Sequence, residues 1–402
     1  MFLRSSRLLQ ALLLVSLLLA GIWLGGHPSL LPGFVRGVLV DDSVAGSSDA
    51  RLVDEALDIM EKHYYRPVDR KALVDEGLKA SVKSLDDRFS AYFDPKTFHH
   101  FEEASSGGFE GVGMTVEANK RGVEVQQTFP GSPARRAGLK AGDIIVAADG
   151  KSLKGKPTDA ATALIKGKAG TTVLLRVRRA DDVRELRVRR ERVEVSPVVS
   201  KIVRQGAVPT GHVRLASFTR GSGDDVDAAV RRVLDKGAEA VVLDLRANGG
   251  GYLDEAVRIS SLFIPEGTIV STKRGSGEEK VYEATGRSIP RDVPVVVLVD
   301  RDSASASEIV AGAIQDRDRG KVVGTRTFGK GVFQQIEELS NGGALDITVG
   351  EYFTPSGRNL GGGGPKRGAG IAPDVRARDV RKTPKRDEAL DKAVSTISSG
   401  AS

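Results

Sequence analysis

Cysteine is missing from all 402 residues, which excludes disulfides, thiol catalysis and cysteine-ligated zinc. Its absence leaves the compartment open, since an exported protein can fold without disulfides. Aromatic residues make up only 5% and do not interleave with basic runs, which speaks against a nucleic-acid partner. Histidine is scarce: His27, His63, His99, His100 and His212, with none later in the chain. The G-x-S-x-G nucleophile elbow is absent too. Net charge is +7, but acidic residues are plentiful, so no dominant basic face is implied. A hydrophobic content of 40% suits a globular protein with ample core, and the length suits two or three domains at roughly 150 residues each.

One long apolar run stands at the start. Arg4 and Arg7 precede Leu8–Leu24, broken only by Gln10 and Ser16. Residues 1–26 therefore read as a signal peptide or a membrane anchor with its N-terminus inside. No small-x-small cleavage site follows, which favours the retained anchor. The rest of the chain is then expected outside the cytoplasm: at the periplasmic face of the inner membrane if anchored, periplasmic or secreted if cleaved.

Residues 27–50, rich in Gly, Pro, Ser and Asp, read as a linker. Region 51–106 reads as helical. Val53, Leu57, Met60 and Tyr64 repeat at helical spacing, a second amphipathic stretch runs from Lys71 to Leu85, and "FDPKTFHHFEE" is a turn and a short helix. From Gly107 to 192 short β-like runs broken by glycine surround one helical stretch, "DAATALI", as in a small β-rich domain. Region 193–376 alternates apolar strands with helices: "AVVLDLR" (240–246), "VPVVVLVD" (293–300), "KVVG" (321–324) and "ALDITVGEYFTPSG" (344–357). This argues for a layered α/β core. "LGGGGPKRGAG" (360–370) is expected to be a mobile loop. Region 377–402 is a basic tail and a short helix: the basic stretch "RARDVRKTPKR" (376–386) reads as a solvated surface segment rather than a membrane-binding patch, and a short helical pattern follows it.

The chemistry concentrates in "DSASASEIVAGAIQD" (302–316). Ser305-Ala-Ser-Glu308 fits a capping box, with Ile309, Val310, Ala313 and Ile314 on the buried face. A serine at a strand-to-helix turn also sits where outward-pointing N–H groups stabilise an oxyanion. With no histidine after 212, a serine–histidine triad built from residues beyond 212 is excluded; a histidine from earlier in the chain is not. A lysine is the other common base, and it works only where desolvation or cationic neighbours keep it largely neutral. "TFGKGVFQQ" offers Lys330, although a lysine between glycines is often a surface turn residue. The same stretch, "GTRTFGKG", also approaches a phosphate-binding loop, but Gly331 stands where Ser or Thr must bind Mg²⁺.

Taken in order, "LDLRANGGG", "SASASEIVAGAIQD", "GTRTFGKGVFQ" and "YFTPSGR…GIAPDV" resemble the carboxyl-terminal processing (tail-specific) proteases, over roughly residues 50 to 395. The resemblance implies an α/β multidomain protein. Its parts would be an N-terminal membrane segment, a small helical region, a PDZ domain (107–192) inserted before a mixed α/β, ClpP/crotonase-like serine protease core (193–376), and the tail. It implies a serine endopeptidase that processes proteins at unstructured, free C-terminal tails, with no metal or cofactor. Ser305 falls at the nucleophile, Lys330 at the general base, and Gln334 at a residue that orients the lysine. Asp316 falls on an accessory acidic position, although a close carboxylate would raise the lysine's pKa. Gly249, Gly250 and Gly251 with the backbone of Ala306 fall at the oxyanion hole. Ser303 and Ser307 receive no catalytic role. Gly111, Val112, Gly113 and Met114 fall at the PDZ carboxylate-binding loop, with Val112 and Met114 lining the pocket for the last side chain. Lys166 replaces an arginine that links the PDZ domain to the active site in many members, the 360–370 loop is longer than usual, and the glycine triplet lacks a proline. The alternative function is a non-catalytic PDZ adaptor that only binds tails. The membrane, a homo-oligomeric partner copy and a regulatory adaptor remain as further partners.

Overall fold

The computed structural model describes residues 48–205, 208–364, 368–378 and 387–400. The apolar N-terminal segment, most of the linker and most of the basic tail lie outside these residues. Among the described residues no helix is long and apolar enough to cross a membrane. The chain divides into two units after Leu78.

In the first unit α1 (Ser48–His63) is followed by the start of α2 (Arg70–Lys83). Arg70 holds them together through Asp54, Asp58 and Glu61. The spacing falls on a helix, and among the described residues Val53 and Met60 are 60% and 41% exposed. Periodicity fixes which residues share a face, not whether anything covers it.

The second unit takes up the end of α2 and then holds a strand within the region 51–106 that reads as helical. Residues Ala91–Phe93 form β1, which pairs antiparallel with a strand more than 250 residues later. Three residues are too few to show a strand period. Helix α3 (Pro95–Ser105) follows, capped by Asp94, whose carboxylate accepts from Thr97 N–H.

The PDZ-like body is a six-stranded sheet of β3 (Met114–Asn119), β4 (Gly122–Thr128), β5 (Ile144–Ala148), β6 (Lys151–Ser152), β7 (Thr172–Arg179) and β8 (Asp182–Arg189). Helices α4 (Pro133–Arg136) and α5 (Thr158–Ile165) complete it. Val123, Val125, Ile145, Val173 and Leu175 form its core. The ends of the 107–192 region are not part of this sheet. They pair as an antiparallel ribbon, β2 (Gly108–Gly111) with β9 (Glu191–Glu194), through which the chain enters and leaves the body.

The core sheet runs β10–β11–β12–β15–β16–β19, with β10 (Val198–Val203) antiparallel and the rest parallel: β11 (Thr210–Leu215), β12 (Ala240–Asp244), β15 (Val295–Val299), β16 (Lys321–Gly324) and β19 (Val375–Arg376). Its central strands are apolar on both faces because both faces are covered. Val241, Leu243, Val297 and Val299 face the cluster that includes α6 (Ser222–Asp235), α7 (Leu253–Ser261) and α8 (Ala306–Asp316). Val242, Val296 and Leu298 face α9 (Glu388–Gly400), which seats Leu390, Val394 and Ile397 on them. The tail's helical pattern is thus a packed element. A second, antiparallel sheet combines β1 with β13 (Thr268–Arg274), β14 (Glu279–Glu283), β17 (Val332–Glu338) and β18 (Ala344–Phe353).

Candidate active site

The loops after β12 and β15 lie side by side because these strands are parallel neighbours, and such strand C-terminal ends are where α/β sheets gather ligand-facing groups. The first loop carries Asn248 to Gly251, the second the three serines. Asn248 is fully buried and ties them together. Its Nδ2 donates to Leu215 O (2.9 Å), its Oδ1 accepts from Gly250 N–H (2.9 Å), and its carbonyl accepts from Ala304 N–H (3.0 Å) and Ser307 Oγ (2.9 Å).

The serines separate by partner. Ser303 Oγ donates to Leu245 O at 2.7 Å and Ser307 Oγ to Asn248 O, so both are ties between loops. Ser305 is different. It immediately precedes α8 at φ 55° and ψ −115°, a region that costs a non-glycine residue about 1–3 kcal/mol. Its Oγ lies 3.5 Å from the hydroxyl of the buried Tyr352. Gly250 packs directly beneath it: a Cβ there would stand 2.8 Å from Ser305 Cβ and 3.1 Å from Ala306 N. At φ +104° the position suits glycine on backbone grounds as well.

Glu308 makes its half of the capping box, accepting from Ser305 N–H at 2.9 Å. It also does something the local pattern does not show. Its carboxylate accepts from Lys330 N–H (2.8 Å), Gly329 N–H (2.7 Å) and the Thr327 hydroxyl (2.6 Å). One fully buried side chain therefore fixes the start of α8 to the segment carrying Lys330. Burial pushes its carboxyl above the ordinary value against the pull of these bonds. The arrangement also overturns the phosphate-loop alternative: the loop amides are spent on a carboxylate, and strand β17 follows where such a loop needs a helix.

Lys330 is half-buried. Burial pushes its ammonium below the ordinary lysine range, while Asp346, Asp87 and Glu308 pull the other way. Nζ lies 5.2 Å from the Phe89 ring centroid and, among the described residues, makes no hydrogen bond to Ser305 Oγ. Asp346, on β18, is raised to about 6, chiefly by burial. Asp87 is held low despite its burial by bonds from Ser90 and Phe89. Asp316 is not part of this group: it accepts from Ser356 N–H and Oγ (3.0 and 2.6 Å) and pairs with Arg358, bracing the "TPSGR" turn. Gln334 Nε2 donates to Thr348 Oγ1 at 2.9 Å, and among the described residues Gln334 accepts no hydrogen bond from Lys330.

The glycine-rich 360–370 stretch is partly outside the described residues, and its described ends are packed rather than loose. Gly368 N–H donates to Gly329 O at 2.8 Å, and a Cβ on Gly331 would stand 2.1 Å from Gly361 N. Of the oxyanion candidates, Gly250 N–H is already given to Asn248, whereas Gly249 N–H and Ala306 N–H have no acceptor among the described residues.

In the PDZ-like body, Gly111 to Gly113 are buried, and Val112 belongs to the core rather than to a pocket. Its carbonyl accepts from Ala134 N–H at 2.7 Å. Gly113, at φ +77°, is where a Cβ would strike Ser132. Met114 lines a cavity of about 560 Å³ with Phe109, Phe129 and Lys166. Lys166 sits over Phe109 and pairs with Glu103 of α3 at 3.4 Å. Among the described residues β3 pairs only with β4, which leaves its outer edge open to an added strand, with α5 alongside.

A PDZ body borne on a ribbon, joined to an α/β core with a strained serine against a glycine loop, defines a PDZ-bearing serine peptidase. Residues 209–377 match Peptidase family S41, and 111–189 match the PDZ domain family. A Staphylococcus aureus (strain COL) protein named a probable CtpA-like serine protease is 32% identical over 348 residues, covering 85% of this chain and 68% of that one. Its Staphylococcus haemolyticus counterpart is 32% identical over 330 residues, covering 82% and 64%. The solved structure of the photosystem II D1 C-terminal processing protease aligns over 86% of this chain and 97% of its own, with 29% identity and a TM-score of 0.51. The chain belongs to peptidase family S41, as a PDZ-containing serine protease of the C-terminal processing kind.

Proposed function

We propose that Ser305 is the nucleophile and Lys330 its general base, in an endopeptidase that captures unstructured C-terminal tails through its PDZ domain. The observation that carries this reading is the Glu308 carboxylate, which binds Ser305 N–H and Lys330 N–H through the same oxygen. That oxygen ties the two backbones to one another. Burial lowers the lysine's affinity for its proton, as a base near neutrality requires.

In the proposed reaction the Ser305 Oγ–H proton passes to Lys330 Nζ as Oγ bonds to the scissile carbonyl carbon. The carbonyl electron pair moves onto oxygen, held by Gly249 and Ala306 N–H. The lysine ammonium then protonates the departing amine, and water, deprotonated by the same lysine, releases the acyl group. The chemistry calls for no metal or cofactor. The free edge of β3 and the Met114 cavity support capture of a tail as an added strand with an apolar last residue. The Arg-flanked apolar run at the N-terminus supports action outside the cytoplasm, anchored or released.

The test is degradation of an unfolded reporter ending in an apolar free carboxyl terminus, by the full-length protein and by Ser305→Ala. Turnover by the first alone is expected. Equal turnover by both would discard Ser305.

A further inference from the structure

The nucleophile reading gives no role to Tyr352, 47 residues beyond Ser305 at the end of β18. Its ring is buried, tilted against Phe333 with 5.5 Å between centroids. Among the described residues its hydroxyl has a single hydrogen-bond partner, Ser305 Oγ at 3.5 Å. Its backbone N–H donates to Gly331 O at 2.8 Å, the carbonyl next to Lys330. One residue thus touches the nucleophile with its side chain and the base's loop with its main chain.

A buried phenol with one partner has a preferred direction. If Ser305 donated to Tyr352, the tyrosine's own proton would be left without an acceptor among the described residues, a cost that a buried donor avoids. If Tyr352 donates, that proton is satisfied and the serine proton is free to face another group. Burial pushes the phenol up to about 12, so it keeps its proton throughout the working range and acts as a donor, not a base.

We propose that the Tyr352 hydroxyl is a further catalytic group, which donates to Ser305 Oγ, turns the serine proton toward Lys330 and stabilises the charge that builds on Oγ. This rests on the assignment of Ser305 as nucleophile. At rest the contact is long, as such contacts often are in unliganded enzymes, and it shortens as Oγ becomes anionic, because a bond to a charged acceptor is shorter and stronger. Tyr352 keeps its proton throughout: the proton that moves is that of Ser305, and it moves to Lys330.

The test compares full-length wild type, Tyr352→Phe, Phe333→Leu and Ser305→Ala. Three quantities are read: peptide kcat and KM, the rate at which a fluorophosphonate labels the serine with loss of fluoride, and melting temperature. Tyr352→Phe removes only the hydroxyl, and it should lower kcat and labelling about tenfold to a hundredfold with KM changed less than about twofold. Phe333→Leu loosens the same ring's packing and keeps the hydroxyl, so it should lower the melting temperature without that loss. Wild-type rates in Tyr352→Phe overturn the proposal. So does a rate loss that Phe333→Leu reproduces at a matching drop in melting temperature, since packing then explains it. Turnover by Ser305→Ala equal to wild type overturns the nucleophile assignment itself, whereas an inactive Ser305→Ala beside a fully active Tyr352→Phe sinks the tyrosine's role alone.

Discussion

Lys330 lies among opposed influences. Burial disfavours its charge, and the carboxylates of Asp346 and Asp87 favour it. Asp346 is the more consequential because it too is half-buried and its carboxyl is raised to about 6. Above that pH its negative charge stabilises the ammonium and raises the lysine's pKa. The proposed base must be neutral to act, so on that reading activity should rise as pH rises through the lysine's pKa. Replacing Asp346 with Asn removes one source of upward shift. The acid limb of the kcat–pH profile of Asp346→Asn should therefore move to lower pH, by about one unit for each ~1.4 kcal/mol of coupling removed. A limb that stays in place would mean that Asp346 does not act on the titrating base. Asp316 is a foil: its bonds to Ser356 and Arg358 hold its carboxyl low despite burial, and Lys330 is not among its partners.

Among the elements, the segment 327–331 is held on three sides: by Glu308 from α8, by Gly361 and Gly368 from the glycine-rich stretch, and by the 86–93 segment, whose Phe89 lies near Lys330 and Arg88 over Phe328. Gly331 is the tightest point, because what a Cβ would meet is backbone, which cannot swing aside. Gly331→Ala should push Lys330 out of position and cut kcat at least tenfold, with the protein still folded by circular dichroism. Wild-type kcat in that variant would mean that the two segments separate freely. The strands that build this neighbourhood were unequally legible. β12, β15 and β16 announce themselves as short apolar runs because both their faces are buried. β1 and the β2–β9 ribbon do not, since a three-residue strand has no period and a ribbon closed across some 80 residues has no local signal.

For the whole molecule, the proposed function divides recognition by the PDZ body from reaction in the core. In the proposed tail capture the edge of β3, unpaired among the described residues, would take backbone and the Met114 cavity an apolar side chain, and neither would supply a reacting group. If a tail's terminal carboxylate is what the buried Gly111–Gly113 turn captures, then amidating a substrate's C-terminus should raise KM severalfold and leave kcat nearly unchanged. Equal cleavage of free-acid and amidated peptides would remove tail capture from the account.

The sequence by itself determined the layered core, the β-rich insertion and the local grammar around Ser305, because apolar periodicity, turn residues and the S-x-x-E cap act over a few neighbours. It also narrowed the chemistry, since a chain without cysteine or late histidine leaves few bases for a serine. What it could not carry were meetings between distant segments: Glu308 with Gly329 and Lys330, Asn248 with Ser307, Asp346 with the lysine, and Tyr352 with Ser305. Those depend on which strands become neighbours and at what register. Packing of the whole core sets that, and no local pattern records it.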